Sequence, residues 1–222
     1  PSMVEFERPS GGDNAISEAA EMLSSSKNPI ILNGAGVVLS EGARDASKAL
    51  AERLDAAVCV GYQHNDAFPG SHPLFAGPLG YNGSKAAMEL IKDADVVLCL
   101  GTRLNPFSTL PGYGIDYWPK DAKIIQVDIN PDRIGLTKKV SVGIIGDASL
   151  VANKILSKLS DTAGDFNRTE RKQKIAEIKS RWAQQLSSMD HEDDDPGTTW
   201  NQRARADKPD WMSPRKAWRA IQ

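Results

Sequence analysis

The chain has 222 residues, of which 40% are hydrophobic and 25% charged, with a formal net charge of -2. This is ordinary globular composition, and the slightly acidic balance excludes a general nucleic-acid binder, whose modules carry a basic face or stripe. No run approaches the roughly 18 apolar residues of a membrane span, and no signal peptide is visible. The cytoplasm is therefore the expected compartment, with neither membrane nor nucleic acid as a partner.

Residues 1–12 read as a linker: Pro, Ser and Gly dominate and no apolar period is present. A helix is predicted over 15–23, with Asp13 able to cap it. A short buried strand over 29–32 leads into Asn33-Gly34-Ala35-Gly36. Residues 41–54 are helical, with Ala43, Ala46, Leu50 and Leu54 on one side. A strand over 57–60 is followed by a long Gly/Pro-rich loop to Gly83. A helix follows over 84–91, and 96–100 is again an all-apolar strand. Cys59 and Cys99 sit inside these apolar runs, so both are expected as buried core residues, without a disulfide, metal or redox role.

The stretch from Lys123 to Asp147 carries most information. A strand over 123–127 ends on Asp128, and Asn130-Pro131 turns the chain into a short amphipathic segment. A second apolar run, 140–145, ends on Gly146-Asp147, which opens a helix. Continuous apolar strands alternating with helices imply an α/β fold, doubly wound around a mainly parallel sheet of about five or six strands. The tail differs. A charged helix over 168–186 has Ile175, Ile178, Trp182 and Leu186 as its apolar stripe, an acidic loop spans 190–195, and 200–211 is irregular. Trp182, Trp200, Trp211 and Trp218 concentrate there, so the tail is expected to dock on another domain or subunit, or to pack back on the sheet domain. Ser213 and Pro214 start a helix that runs to Gln222. Both ends read as cut, giving a linker at 1–12, a nucleotide-binding-like domain at 13–160, a linker helix and tail at 161–212, and the start of a further domain at 213–222.

Two strands that each deliver a carboxylate at their carboxyl end form the edge where open α/β sheets bind ligands. Gly34 and Gly36 stand at a strand-to-helix turn, where backbone can approach a phosphate without a Cβ in the way. A tight turn alone explains them equally well. Leu39 replaces the third glycine of the dinucleotide fingerprint, and the second strand ends in Gly61-Tyr62 without a ribose-holding acid, which argues against a nicotinamide dehydrogenase. Arg103, after the strand over 96–100, could hold a diphosphate through its fork or pair with a carboxylate of a neighbouring domain. Asp128 could address the other end of a nucleotide, and Asp147 is placed as a helix cap or as an adenine or ribose partner. The cofactor-binding candidates are therefore Gly34, Gly36, Arg103, Asp128 and Asp147. His64, Asp66 and His72 share a Pro/Gly-rich loop without a third nitrogen or sulfur ligand, and Asp193-Asp194-Asp195 lacks the spacing and glycine of a calcium loop. No metal site is expected. There is no G-x-S-x-G elbow, H-E-x-x-H or Cys-His pair, so no residue is expected to be catalytic.

The order N-P-I-I-L-N-G-A-G (28–36), F-P-G-S-H-P-L-F-A-G-P-L-G (68–80), A-D-V-V-L-C-L-G-T-R-L (94–104) and I-I-Q-V-D-I-N-P-D-R-I-G (124–135) resembles the central, Rossmann-like domain of thiamine-diphosphate enzymes. These are the relatives of acetolactate synthase and pyruvate oxidase. Within that family, residues 62–70, 104–119 and 211–222 are most similar to the acetyltransferases acting on sulfoacetaldehyde. The resemblance implies a homo-oligomeric enzyme using thiamine diphosphate and Mg2+, both bound by domains outside this chain. The implied reaction converts sulfoacetaldehyde and phosphate into acetyl phosphate and sulfite. Relatives can hold FAD or an adenine nucleotide in this domain. Leu104-Asn105-Pro106-Phe107 departs from the more polar flavin pattern, so the resemblance also allows a domain serving only as spacer and subunit contact. An acetolactate synthase and a free-standing nucleotide-binding module are the competing expectations.

Overall fold

Three strands at the centre of the fold are apolar at nearly every position because both of their faces are covered, the usual reason for continuous Val/Ile/Leu runs in parallel sheets. The computed structural model describes residues 7–81 and 83–192. In it β1 (Pro29–Asn33), β2 (Ala57–Gly61) and β4 (Val96–Leu100) are buried along their whole length. With β3 (Phe75–Leu79), β5 (Lys123–Asp128) and β6 (Val142–Ile145) they form one parallel sheet in the order β3-β2-β1-β4-β5-β6. Ile31 stands between Val58 and Leu98, and Val127 lies between Leu100 and Ile144.

The chain works outward from β1 to β3, then jumps back across β1 to β4. Strand order thus reverses between β1 and β4, the switch point at which loops from neighbouring strands diverge and leave a crevice. Helices α1 (Asp13–Ser25), α3 (Ala43–Leu54) and α5 (Ala148–Lys158) pack together as one layer, while α4 (Lys85–Lys92) contacts β2 and β3. A five-residue helix, α2 (Ala35–Leu39), links β1 to α3. Ser84 caps α4 by accepting from the Ala87 amide. At α1 the cap position is Gly12, without a side-chain bond, and Asp13 is the first helical residue, where its charge suits the positive end of the helix dipole instead.

Several boundaries differ from the sequence pattern. β3 lies inside the expected 61–83 loop, β6 begins at Val142 rather than 140, and between β5 and β6 only the 3-10 turn Pro131–Arg133 is helical. Cys59 and Cys99 are free and wholly buried, and burial pushes the Cys59 thiol up to about 12. Tyr117 is the largest fully buried side chain among the described residues, and its hydroxyl donates to the Ser108 carbonyl at 3.1 Å.

The chain divides into two compact units, Pro1–Ile178 and Lys179–Gln222, with the boundary inside α6 (Arg168–Glu192). This helix runs past 186 and takes up the beginning of the expected acidic loop. Its first turns are fastened to the amino edge of the sheet by Arg171, which is only 5% exposed. The guanidinium donates to five carbonyls: Lys27 (2.9 Å), Leu54 (2.7 Å), Asp55 (3.1 Å), Gly164 (2.7 Å) and Phe166 (2.7 Å). Asp55, left-handed at φ 47°, pairs its carboxylate with Arg168 and Lys172. Ile175 and Ile178 are buried as the stripe requires, and Trp182 is half-buried in the second unit. Asp193, Asp194, Asp195, Trp200, Trp211, Trp218 and the helix expected from Ser213 lie outside the described residues.

Candidate ligand crevice at the carboxyl edge of the sheet

The loops that follow β1, β4, β5 and β6 converge at the switch point around a cavity of about 820 Å3. Gly34, Gly36, Arg103, Asp128 and Asp147, separated by up to 113 positions (147 − 34), all line it. Their surroundings differ sharply, and those differences decide what each can do.

The two glycines hold the switch point shut. Gly34 donates its amide to the Leu100 carbonyl and Gly36 donates to the Gly101 carbonyl, both at 2.9 Å. A Cβ on Gly34 would stand 2.6 Å from the Gly101 oxygen, and one on Gly36 would stand 2.6 Å from the Gly101 Cα. The need for glycine here is backbone packed against backbone. Neither amide is left to receive a phosphate.

Asp147 is saturated. Its Oδ1 accepts from the Ser40 hydroxyl (2.7 Å) and the amides of Ser149 (3.0 Å) and Leu150 (3.3 Å), capping α5, while Oδ2 accepts from Arg8 Nη1 at 2.7 Å. Pro9 accepts the Asp147 amide at 2.7 Å, Ser10 bridges Gly146, and Lys154 donates to the Ser10 hydroxyl at 2.8 Å. Residues 7–10 are thus a strap along the β6 end of the crevice. The sequence pattern gave Arg8 no signal beyond a linker composition.

Asp128 is the contrasting carboxylate. It is 8% exposed, its Oδ1 accepts from the Asn130 amide at 2.9 Å, and its Oδ2 accepts no hydrogen bond among the described residues. A buried, half-satisfied carboxylate lining a cavity is a site for a donor. Arg103, exposed, and Arg133, half-exposed, line the same cavity, and neither guanidinium has a partner among the described residues. Gln126, 1% exposed, was not singled out by the sequence pattern. Its Nε2 donates to the carbonyls of Thr102 and Arg133, both at 3.1 Å, and its Oε1 accepts from the Gly135 amide at 2.9 Å. One buried amide therefore fixes the loops that carry both arginines.

His64 lines the same cavity, but its sequence neighbours are engaged elsewhere: Asp66 pairs with Arg44 at 3.4 Å and His72 with Glu52 at 3.2 Å. Among the described residues no three His, Cys, Asp or Glu side chains converge as a metal site.

Asp147 and Asp95 give the unit an acid-labile component. In each, burial disfavours the charge but hydrogen bonds outweigh it: from Ser40, Arg8 and two amides at Asp147, and from Ser26 and the amides of Lys27 and Asn28 at Asp95. Both carboxyls are held below the usual range, so their contribution is present above the unfolded value of about 3.9 and is lost as pH falls through the folded one. Denaturant midpoints measured between pH 7 and 3 should fall steeply below about pH 4, and less so in Asp147→Asn. Parallel curves for the two proteins would refute the assignment.

Residues 16–155 match the family model "Thiamine pyrophosphate enzyme, central domain". The chain belongs to that family. It is 76% identical over its whole length to a sulfoacetaldehyde acetyltransferase of Roseovarius nubinhibens and 70% identical to one of Rhodobacter capsulatus, and it covers 37% of each. A probable acetolactate synthase large subunit of Methanocaldococcus jannaschii is 37% identical over 65% of this chain and 24% of its own length. Among solved structures, a benzoylformate decarboxylase from Polynucleobacter necessarius superposes with a TM-score of 0.61 at 24% identity, over 75% of this chain and 30% of that one. That likeness supports the fold alone. The chain thus spans little more than a third of the length of the curated relatives it matches. Among the described residues no three His, Cys, Asp or Glu side chains converge into a ready-made cation site that could stand against a diphosphate.

Proposed function

We propose that this chain is the central domain of a thiamine-diphosphate-dependent sulfoacetaldehyde acetyltransferase. The full-length protein would convert sulfoacetaldehyde and phosphate into acetyl phosphate and sulfite, in the cytoplasm and as a homo-oligomer. The observation that carries this reading is identity of 70–76% along the entire chain to three relatives bearing that name or its probable form. Thiamine diphosphate and Mg2+ would be bound by the other domains, with the cofactor supplying the carbon–carbon chemistry. This domain would supply scaffold and subunit contact.

Its crevice is proposed to take a single adenine nucleotide. Arg103 and Arg133 would face the phosphates, and the vacant Oδ2 of Asp128 would accept from a ribose hydroxyl or the adenine amino group. Asp147 and the amides of Gly34 and Gly36 are already engaged, which leaves less for the extended diphosphate of FAD to bind.

Full-length protein supplied with thiamine diphosphate, Mg2+ and phosphate should release sulfite and form acetyl phosphate from sulfoacetaldehyde, and leave pyruvate unchanged. Acetolactate from pyruvate would move it to the synthase branch. ADP titrated into the same protein should bind more weakly in Arg103→Ala and Asp128→Asn. Unchanged affinity in both variants would remove the nucleotide assignment.

A further inference from the structure

At the β2–β3 end of the carboxyl edge, large apolar side chains face outward together. Tyr81 is 74% exposed, Phe107 60%, Tyr113 54% and Leu110 45%. They come from two loops in direct contact. The Tyr81 amide donates to the Phe107 carbonyl at 3.3 Å, the Tyr113 hydroxyl donates to the Gly83 carbonyl at 3.3 Å, and the rings of Tyr62 and Phe107 lie 6.4 Å apart. Single exposed apolar residues need no explanation, but a contiguous aromatic group on one edge is the composition of an interface core.

The patch is also held rigidly. Gly80, at φ +109°, packs so tightly that a Cβ there would lie 2.2 Å from the Phe107 oxygen. Leu104 and Tyr113, at either end of the exposed segment, both adopt φ 53°, a left-handed conformation that is unfavourable for a residue with a side chain. Buried Leu104 is retained there by the Thr137 hydroxyl, which donates to its carbonyl at 2.8 Å. Strain maintained by surrounding structure to present outward-facing aromatics is characteristic of a surface with a use.

The path of the chain indicates the occupant. Residues 7–10 enter along the same carboxyl edge, strapped to Gly146 and Asp147. By contrast α6 starts at the opposite edge, since Arg171 reaches the carbonyls of Lys27, Leu54 and Asp55, which precede β1 and β2. Six strands span about 24 Å from β6 to β3, a distance that one domain of ordinary size can cover. We infer that this aromatic patch is the docking surface for the domain preceding residue 1 in the full-length protein; the inference rests on the central-domain reading.

The test places photoreactive p-benzoylphenylalanine at position 81, and separately at 107, in the full-length protein, and identifies cross-linked peptides by mass spectrometry. Peptides from the region before Pro1 are expected. Peptides from beyond Gln222, peptides from a second copy of these 222 residues, or no cross-link would each overturn the inference. Hydroxyl-radical footprinting of the full-length protein, which needs no substitution, should show Tyr81 and Phe107 oxidised severalfold less than Leu136, which is 70% exposed in this domain; oxidation as strong as that of Leu136 would also overturn it. Sulfoacetaldehyde turnover, measured on the same full-length protein, judges the functional reading separately from the docking.

Discussion

Arg171→Met is expected to lower the unfolding free energy of the sheet unit by about 3–5 kcal/mol. The guanidinium satisfies five carbonyls that converge from the 27–28 turn, the end of α3 and the 164–166 turn. Each carbonyl left dry and unpaired costs roughly 1–3 kcal/mol, and water entering the gap recovers only part of that. Arg171→Lys separates charge from geometry. It keeps the cation but offers three donors on a flexible stem in place of a planar five-donor fork, so it should lose most of the same stability. The measurement is the urea midpoint at unchanged slope. A lysine variant as stable as the parent would show that charge near Asp55, rather than the fork, is what holds α6.

The second large effect is expected at Gly36. An added methyl would meet the Gly101 Cα at 2.6 Å and the Gly101 carbonyl oxygen at 3.1 Å. Neither neighbour can yield, because the Gly36 amide donates to that same carbonyl and the Gly101 amide donates to Val127. Gly36→Ala should therefore destabilise by about 2–3 kcal/mol, as forced overpacking does. It should also distort the crevice, where both residues are found. Gly70→Ala is the control. Nothing lies within 4 Å of its Cβ position, and a change within about 0.5 kcal/mol is expected.

How far the sequence could be read depended on how each residue is used. Buried central strands declare themselves because burial on both faces leaves no room for polar residues: the apolar run over 96–100 is β4 without adjustment. β3 was hidden because it is an edge strand, and its Gly77 and Pro78 are tolerated only there. α2, at five residues, is too short to show a period. Asp128 and Asp147 look alike in sequence, each closing a strand at a turn. Only the fold separates them, since Arg8 and Ser40, 139 and 107 positions away, saturate one carboxylate and leave the other half-vacant. The glycines at 34 and 36 were legible as a turn, but the carbonyls that occupy their amides belong to β4 and the residue after it, a tertiary fact. Gln126 gave no warning because a lone glutamine in an apolar strand has no local partner.

The strand order also sets a timetable for synthesis. β1 is made first yet ends at the middle of the sheet, where Ile31 pairs with Leu98, 67 positions later (98 − 31). Until that length has left the ribosome, β1 carries one unsatisfied edge. The strap waits longer still, since Ser10 meets Gly146 across 136 positions (146 − 10). Residues 7–10 therefore precede every strand of the sheet in synthesis yet are fastened only once the last strand is made, and the nascent domain must shield an apolar centre until β6 arrives.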